Sequence, residues 1–177
     1  MEKNLIAMVS EEQASYQSQI VAAKINGEIR DIQTPYTDTD TIDFIELDSS
    51  VGWSIYRRSV LFLLITAVDH LEKNAEVTAK FTVNKGLYCE IKRPNRAIDI
   101  HFIQEVESKM REMIAANLPI IKRSIPRQDA IELFQKQGCV GKVNLISALQ
   151  QPIISIYTCE DYVDYLYGPM LHETKDL

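Results

Sequence analysis

Short alternating apolar runs flank one long stretch of helical spacing, and from this pattern the elements can be drawn. Ile6, Val9, Ala14 and Tyr16 among Glu and Gln predict a helix over 3–17. Ile20–Ile25 predicts a strand, Asn26-Gly27 a tight turn, and Glu28–Ile32 its return. After the polar turn that follows Thr34-Pro35, Ile42, Phe44, Ile45 and Leu47 mark a strand over Thr41–Leu47. Ser49 or Ser50 is placed to cap a long helix from Val51 to Lys73, whose apolar face carries Ile55, Leu61, Phe62, Ile65, Val68 and Leu71. Glu76–Val83 and Leu87–Ile91 flank Asn84-Lys85-Gly86 as a hairpin. Asp99 opens a helix running to Asn117, with Ile103, Val106, Met110, Met113 and Ile114 on one side.

Leu118–Ile125 predicts a strand ending at Pro126, Asp129–Gln137 a helix stopped by Gly138, and Lys142–Leu149 a further helix. Ile153–Tyr157 and Tyr162–Leu166 predict strands, and His172–Leu177 a polar ending without a stop of its own. The order is α+β: a small β-rich opening, then helices segregated on a mostly antiparallel sheet around the long helix.

Composition narrows the class. The 177 residues are 46% hydrophobic and 25% charged, with a net charge of −6, which argues against a wide basic face while leaving local patches open. Cys89, Cys139 and Cys159 are odd in number and far apart, so they suggest neither a disulfide framework nor a zinc site; no metal or cofactor is expected. The start lacks an apolar core for a signal peptide, and the longest apolar run, Val60 to Val68, falls short of the ~20 residues a span needs. The expectation is a cytoplasmic chain with no membrane partner.

Candidate chemistry is sparse. Gly138-Cys139-Val140-Gly141-Lys142-Val143 has the flavour of a phosphate loop, but Lys136 stands where its first glycine belongs and Val143 where its hydroxyl belongs. His70, His101 and His172 have no His or Cys at a spacing that would join two ligands on one helical face. Arg57, Lys122, Arg123 and Arg127, with Lys136 nearby, are candidates for phosphate or RNA contacts.

Several segments together resemble one family. Val21–Asp31 resembles the second half of a TGS module, a ubiquitin-like β-grasp fold, and Arg57–Leu64 is similar to the R-H-S-x-x-H-L-L helix of threonyl-tRNA synthetase editing domains. Asn84–Ile91 is similar to that family's D-N-G-F-Y-Y-D-F hairpin, Glu105–Ala130 to its E-x-x-M-x-x-x-I…P-I-x-K/R segment, and Glu160–Met170 to its E-x-Y-V-D-L-C-R-G-P-H. The likeness runs over about residues 20–171, in the family's order. It implies a partial TGS-like module over 1–48, its opening hairpin missing or divergent, and an editing-like second additional domain over 49–177.

The same likeness implies a loss. Where the synthetases carry H-x-x-x-H and C-x-x-x-H to hydrolyse mischarged tRNA, this chain has Arg58, Phe62, Leu166 and Met170. Arginine does not deprotonate usefully and the other three not at all, so no catalytic residues are expected there. A relic hydrolase would have to use His70 with Asp69, or Cys159. The degenerate form resembles the front of bacterial nucleoside kinases of the uridine kinase and phosphoribulokinase type. That implies a non-catalytic accessory region, a following P-loop kinase domain as partner, and a cleft of Arg58, Phe62, Leu166 and Met170 that holds a small ligand or has closed into core. The alternative is an RNA-binding or aminoacyl-tRNA-related module with weak deacylase activity.

Overall fold

Asn26 and Gly27 both take positive φ, 51° and 86°, which is the type I′ geometry that matches the twist of a two-residue hairpin. The computed structural model that shows this describes residues 3–84, 86–94 and 96–177; Lys85, in the middle of the expected second hairpin turn, lies outside the described residues. Elements follow in the order β1 (Lys3–Asn4), α1 (Leu5–Glu12), β2 (Ile20–Ile25), β3 (Glu28–Asp31), β4 (Pro35–Tyr36), β5 (Ile42–Glu46) and α2 (Ser50–Leu71). After them come β6 (Glu76–Val83), β7 (Gly86–Lys92), α3 (Ile100–Ala115), β8 (Ile121–Pro126), α4 (Arg127–Lys136), α5 (Val140–Ala148), β9 (Ile153–Cys159) and β10 (Tyr162–Asp164). The expected elements are present within a few residues, and the class is α+β.

The strand pairing differs from one continuous sheet. Every strand pairing among the described residues is antiparallel, but the strands form four small sheets, β1-β4, β3-β2-β5, β6-β7 and β10-β9-β8. Hairpin connections pair most strands with a sequence neighbour, and α2 and α3 interrupt the chain between sheets. Two compact units result, one of Met1–Pro119 with Gly168–Leu177 and one of Ile120–Tyr167.

In the first unit α2 is central. Ser49 caps it, its Oγ accepting from the Gly52 amide at 3.0 Å. One part of its buried face joins Ile55 to Val21, Ala22, Ile45 and Leu171; another joins Val68 to Phe102 and Val106 of α3. By length and apolar content α2 would suit a bilayer span, beyond what the run Val60–Val68, with Thr66 inside it, suggests, but 44% of the apolar window of α2 is buried inside this fold. The second unit has its own core of Ala130, Phe134, Ile146, Ile154 and Ile156. There α4 stops in a Schellman motif, with the Gly138 amide bonded to Gln135 O and the Cys139 amide to Phe134 O.

The last residues are not a loose polar tail. Thr174 is fully buried, its Oγ1 donating to Met113 O at 2.7 Å and accepting from the Leu118 amide at 2.8 Å. Glu173 pairs with Pro119 in an isolated bridge.

Two outcomes follow from these contacts. A Cβ on Gly52 would lie 2.8 Å from Leu47 Cα and closer still to Glu46 O, both backbone atoms that cannot swing aside. Gly52→Ala is expected to cost about 2 kcal/mol or more in urea unfolding. Asp99 caps α3, accepting from the Phe102 amide at 2.8 Å, and that bond first, with His101 and Arg93 adding to it, holds its carboxyl below the usual carboxylate range. A carboxyl lowered by folding stabilises above its unfolded pKa and loses that contribution as pH falls through the folded value. Asp99→Asn, still a capping residue, is therefore expected to flatten the acid side of the stability profile below about pH 4, read as urea midpoints.

Candidate functional site

The segment Gly168–Leu171 lies against α2 and brings three of the expected cleft residues into the first unit. Arg58 Nη1 donates to Pro169 O at 2.5 Å, and one residue on, Ser59 Oγ accepts from the Leu171 amide at 2.9 Å while donating to Ile55 O. Gly168 has φ +100°, a backbone conformation that favours glycine, and a Cβ there would stand 3.0 Å from Arg58 Cζ, so the guanidinium would have to give way to a side chain. Phe62 and Met170 are both 0% exposed. Thr66, one turn beyond Phe62, is buried and donates to Phe62 O at 2.9 Å. A ligand reaching Phe62 or Met170 would have to displace surrounding core. Leu166 is half-buried and belongs to the second unit.

The expected phosphate contacts have divergent surroundings. Arg57 is half-buried in the first unit and donates through Nη2 to Thr82 Oγ1 at 2.8 Å. In the second unit Lys122 is half-buried, Arg123 exposed, and Arg127 donates from Nη1 to Leu149 O at the end of α5. A cation bonded to the last carbonyls of a helix serves the helix dipole, so Arg127 is a structural staple.

The alternative nucleophile is inert: Cys159 is 1% exposed, and burial, helped by Glu160, pushes its thiol up to about 11. Asp69 is ion-paired with Lys73 at 2.6 Å. His101 stands exposed in the first turn of α3, and His172 Nε2 pairs with Glu173 at 2.9 Å. Among the described residues no group of three or more His, Cys, Asp or Glu is arranged to hold a metal.

A cluster that spacing did not reveal sits in the second unit. Asp164, with its side chain 2% exposed, forms an ion pair with Lys142 and accepts from Tyr162 OH at 3.0 Å and from the Tyr165 amide at 2.5 Å. Lys142 also lies 5.5 Å from the Phe134 ring centroid. The lysine that seemed to belong to a phosphate loop is thus the counter-ion of a buried carboxylate. The sequence signal was available, since Asp164 belongs to the Tyr-Val-Asp stretch of the resemblance, but its partner is set by tertiary packing. Removing one member of a buried pair strands the other. Lys142→Met is expected to cost about 3 kcal/mol or more in urea unfolding, and Lys142→Met with Asp164→Leu to recover much of it.

Comparison with known proteins finds similarity to threonine–tRNA ligases along most of the chain. No protein-family model matches the chain. It is 34% identical over 157 residues to the threonine–tRNA ligase of Syntrophotalea carbinolica, an alignment covering 88% of this chain and 25% of that protein. The ligase of Geobacter sp. strain M21 is 33% identical over 157 residues, covering 88% and 24%, and that of Aquifex aeolicus 29% over 153 residues, covering 85% and 24%. The chain spans about a quarter of the length of these curated relatives. These relatives lend no support to the nucleoside-kinase context. Nearly the whole chain is homologous to one segment of threonine–tRNA ligases.

Proposed function

We propose that this chain is an aminoacyl-tRNA-related module, derived from the TGS and editing region of a threonyl-tRNA synthetase, that engages tRNA without hydrolysing its ester. The observation that carries the reading is an alignment with threonine–tRNA ligases along 88% of the chain. In this reading residues 1–48 are the TGS-like remnant and 49–177 the editing-like domain, and the setting is cytoplasmic.

Loss of hydrolysis is supported by the side chains at the matching positions. Arg58 is committed to Pro169 O, and Phe62 and Met170 have no exposed surface. Ester hydrolysis needs a group that exchanges protons near neutral pH beside an activated water. None of Arg58, Phe62, Leu166 and Met170 is such a group. The accessory-region reading, with a P-loop kinase domain following, rests on resemblance alone, and reading the gene past Leu177 decides it.

Filter binding with tRNA is expected to give an affinity that falls steeply with salt, as counterion release requires. Arg123→Ala should lower the slope of log affinity against log salt by about one, the share of a single phosphate contact. Serine-charged threonine tRNA should lose its ester at the rate seen in buffer. No binding at low salt would sink the proposal, and deacylation above the buffer rate would remove its non-hydrolytic half.

A further inference from the structure

Arg57 presents an electrostatic anomaly. It lines a groove of about 360 Å³ between α2, β7 and α3 whose other walls are Trp53, Tyr56, Leu61, Leu64 and Met110, together with Cys89 and neighbouring aliphatic groups. Trp53 and Tyr56 stack there with ring centroids 5.4 Å apart, and Trp53 stays 42% exposed. The guanidinium has a neutral partner, the Thr82 hydroxyl, and its Nε is enclosed without any hydrogen bond. Within the described residues no carboxylate pairs with it. A half-buried cation facing apolar walls without a counter-ion is an unfavourable arrangement that an anion would relieve.

We propose that this groove is a binding site for a small amphipathic anion, with a flat apolar body against Trp53, Leu61, Leu64 and Met110 and one carboxylate- or sulfonate-type head on Arg57. The volume lies within the range of small-molecule sites, where apolar walls supply affinity and one charged group fixes orientation. All the walls belong to the first unit. The inference does not depend on the tRNA reading, since it concerns the α2 face that carries Arg57 rather than the Arg58 position.

The groove contains its own reporter. Cys89 is half-buried in it and burial holds its thiol above the usual range, while Cys139, also half-buried, is in the other unit. Anilinonaphthalene sulfonate, a flat aromatic sulfonate, is the probe. Titration of the full chain is expected to give a saturable fluorescence rise at one dye per chain. The dye should slow N-ethylmaleimide alkylation of Cys89, read by peptide mass spectrometry, and leave the Cys139 rate unchanged. Arg57→Met should weaken the dye by about tenfold or more, the scale of a lost hydrogen bond to a charged group. Absence of saturable binding would overturn the proposal. So would binding that leaves Cys89 unprotected, which would place the dye elsewhere, for instance on the exposed Phe81–Tyr88 pair of the hairpin. Undiminished affinity in Arg57→Met would also overturn it. Should that variant fail to fold by circular dichroism, Cys89 protection in the unaltered chain decides the matter.

Discussion

Two bonds from α2 into a returning stretch of backbone hold the first unit in register. Arg58 reaches the carbonyl of Pro169 and Ser59 takes the amide of Leu171, so adjacent helix residues grip two nearby groups of one irregular segment. Irregular backbone without a ladder must find partners elsewhere when buried, and here a hydroxyl and a guanidinium supply them. The Ser59 hydroxyl serves twice, since it also donates to Ile55 O. The consequence is a shared core: Leu171 lands beside Val21, Ala22, Ile45 and Ile55, joining the β3-β2-β5 sheet, the long helix and the end of the chain. Thr174 then ties the same end to α3 through Met113 and to the Leu118 amide.

This grip also sorts the chemistry of α2 into two stripes. Residues one apart on a helix point about 100° from each other, so Arg57 and Arg58, identical side chains in sequence, meet different worlds. The stripe of Arg58, Phe62 and Thr66 turns inward, where Phe62 and Thr66 are buried and Thr66 bonds back to Phe62 O. The stripe of Arg57, Leu61 and Leu64 borders the apolar groove under the β6–β7 hairpin. A reading that treats the two arginines as one basic patch misses this, because charge counts carry no azimuth.

Much of the fold was legible where the determinants are local. Ser49 and Asp99 cap helices as their positions suggest, Asn26-Gly27 closes a hairpin, and Gly138 ends α4, because each acts within four residues of itself. The division into four sheets was not legible, since alternation says that a strand has two faces and nothing about its partner. The burial of Thr174 was missed for a similar reason: it is polar in sequence, yet its hydroxyl is consumed by Met113 and Leu118, partners 61 and 56 residues away. The pairing of Lys142 with Asp164 joins α5 to β10, and no periodicity connects the two. At the cleft, the identities of Arg58, Phe62, Leu166 and Met170 argued for lost hydrolysis, but burial, which decides whether a ligand can enter, appears only in three dimensions.

Burial also gives a physical reason for side chains of this kind to persist at the positions where the resemblance places histidines. An imidazole enclosed in core needs partners for both ring nitrogens, and each unmet one costs about 1–3 kcal/mol. Phenylalanine and methionine carry no such debt and contribute about 1.5–3 kcal/mol each when fully enclosed, as Phe62 and Met170 are. Catalytic groups are commonly held at the expense of stability, so under the proposed loss of hydrolysis apolar replacements at enclosed positions would be favoured by folding itself. Arg58 does not fit that rule by burial alone; it persists by making the Pro169 bond over a glycine that leaves it room. Arg58, Phe62 and Met170 are thus three different side chains, each satisfied by what surrounds it.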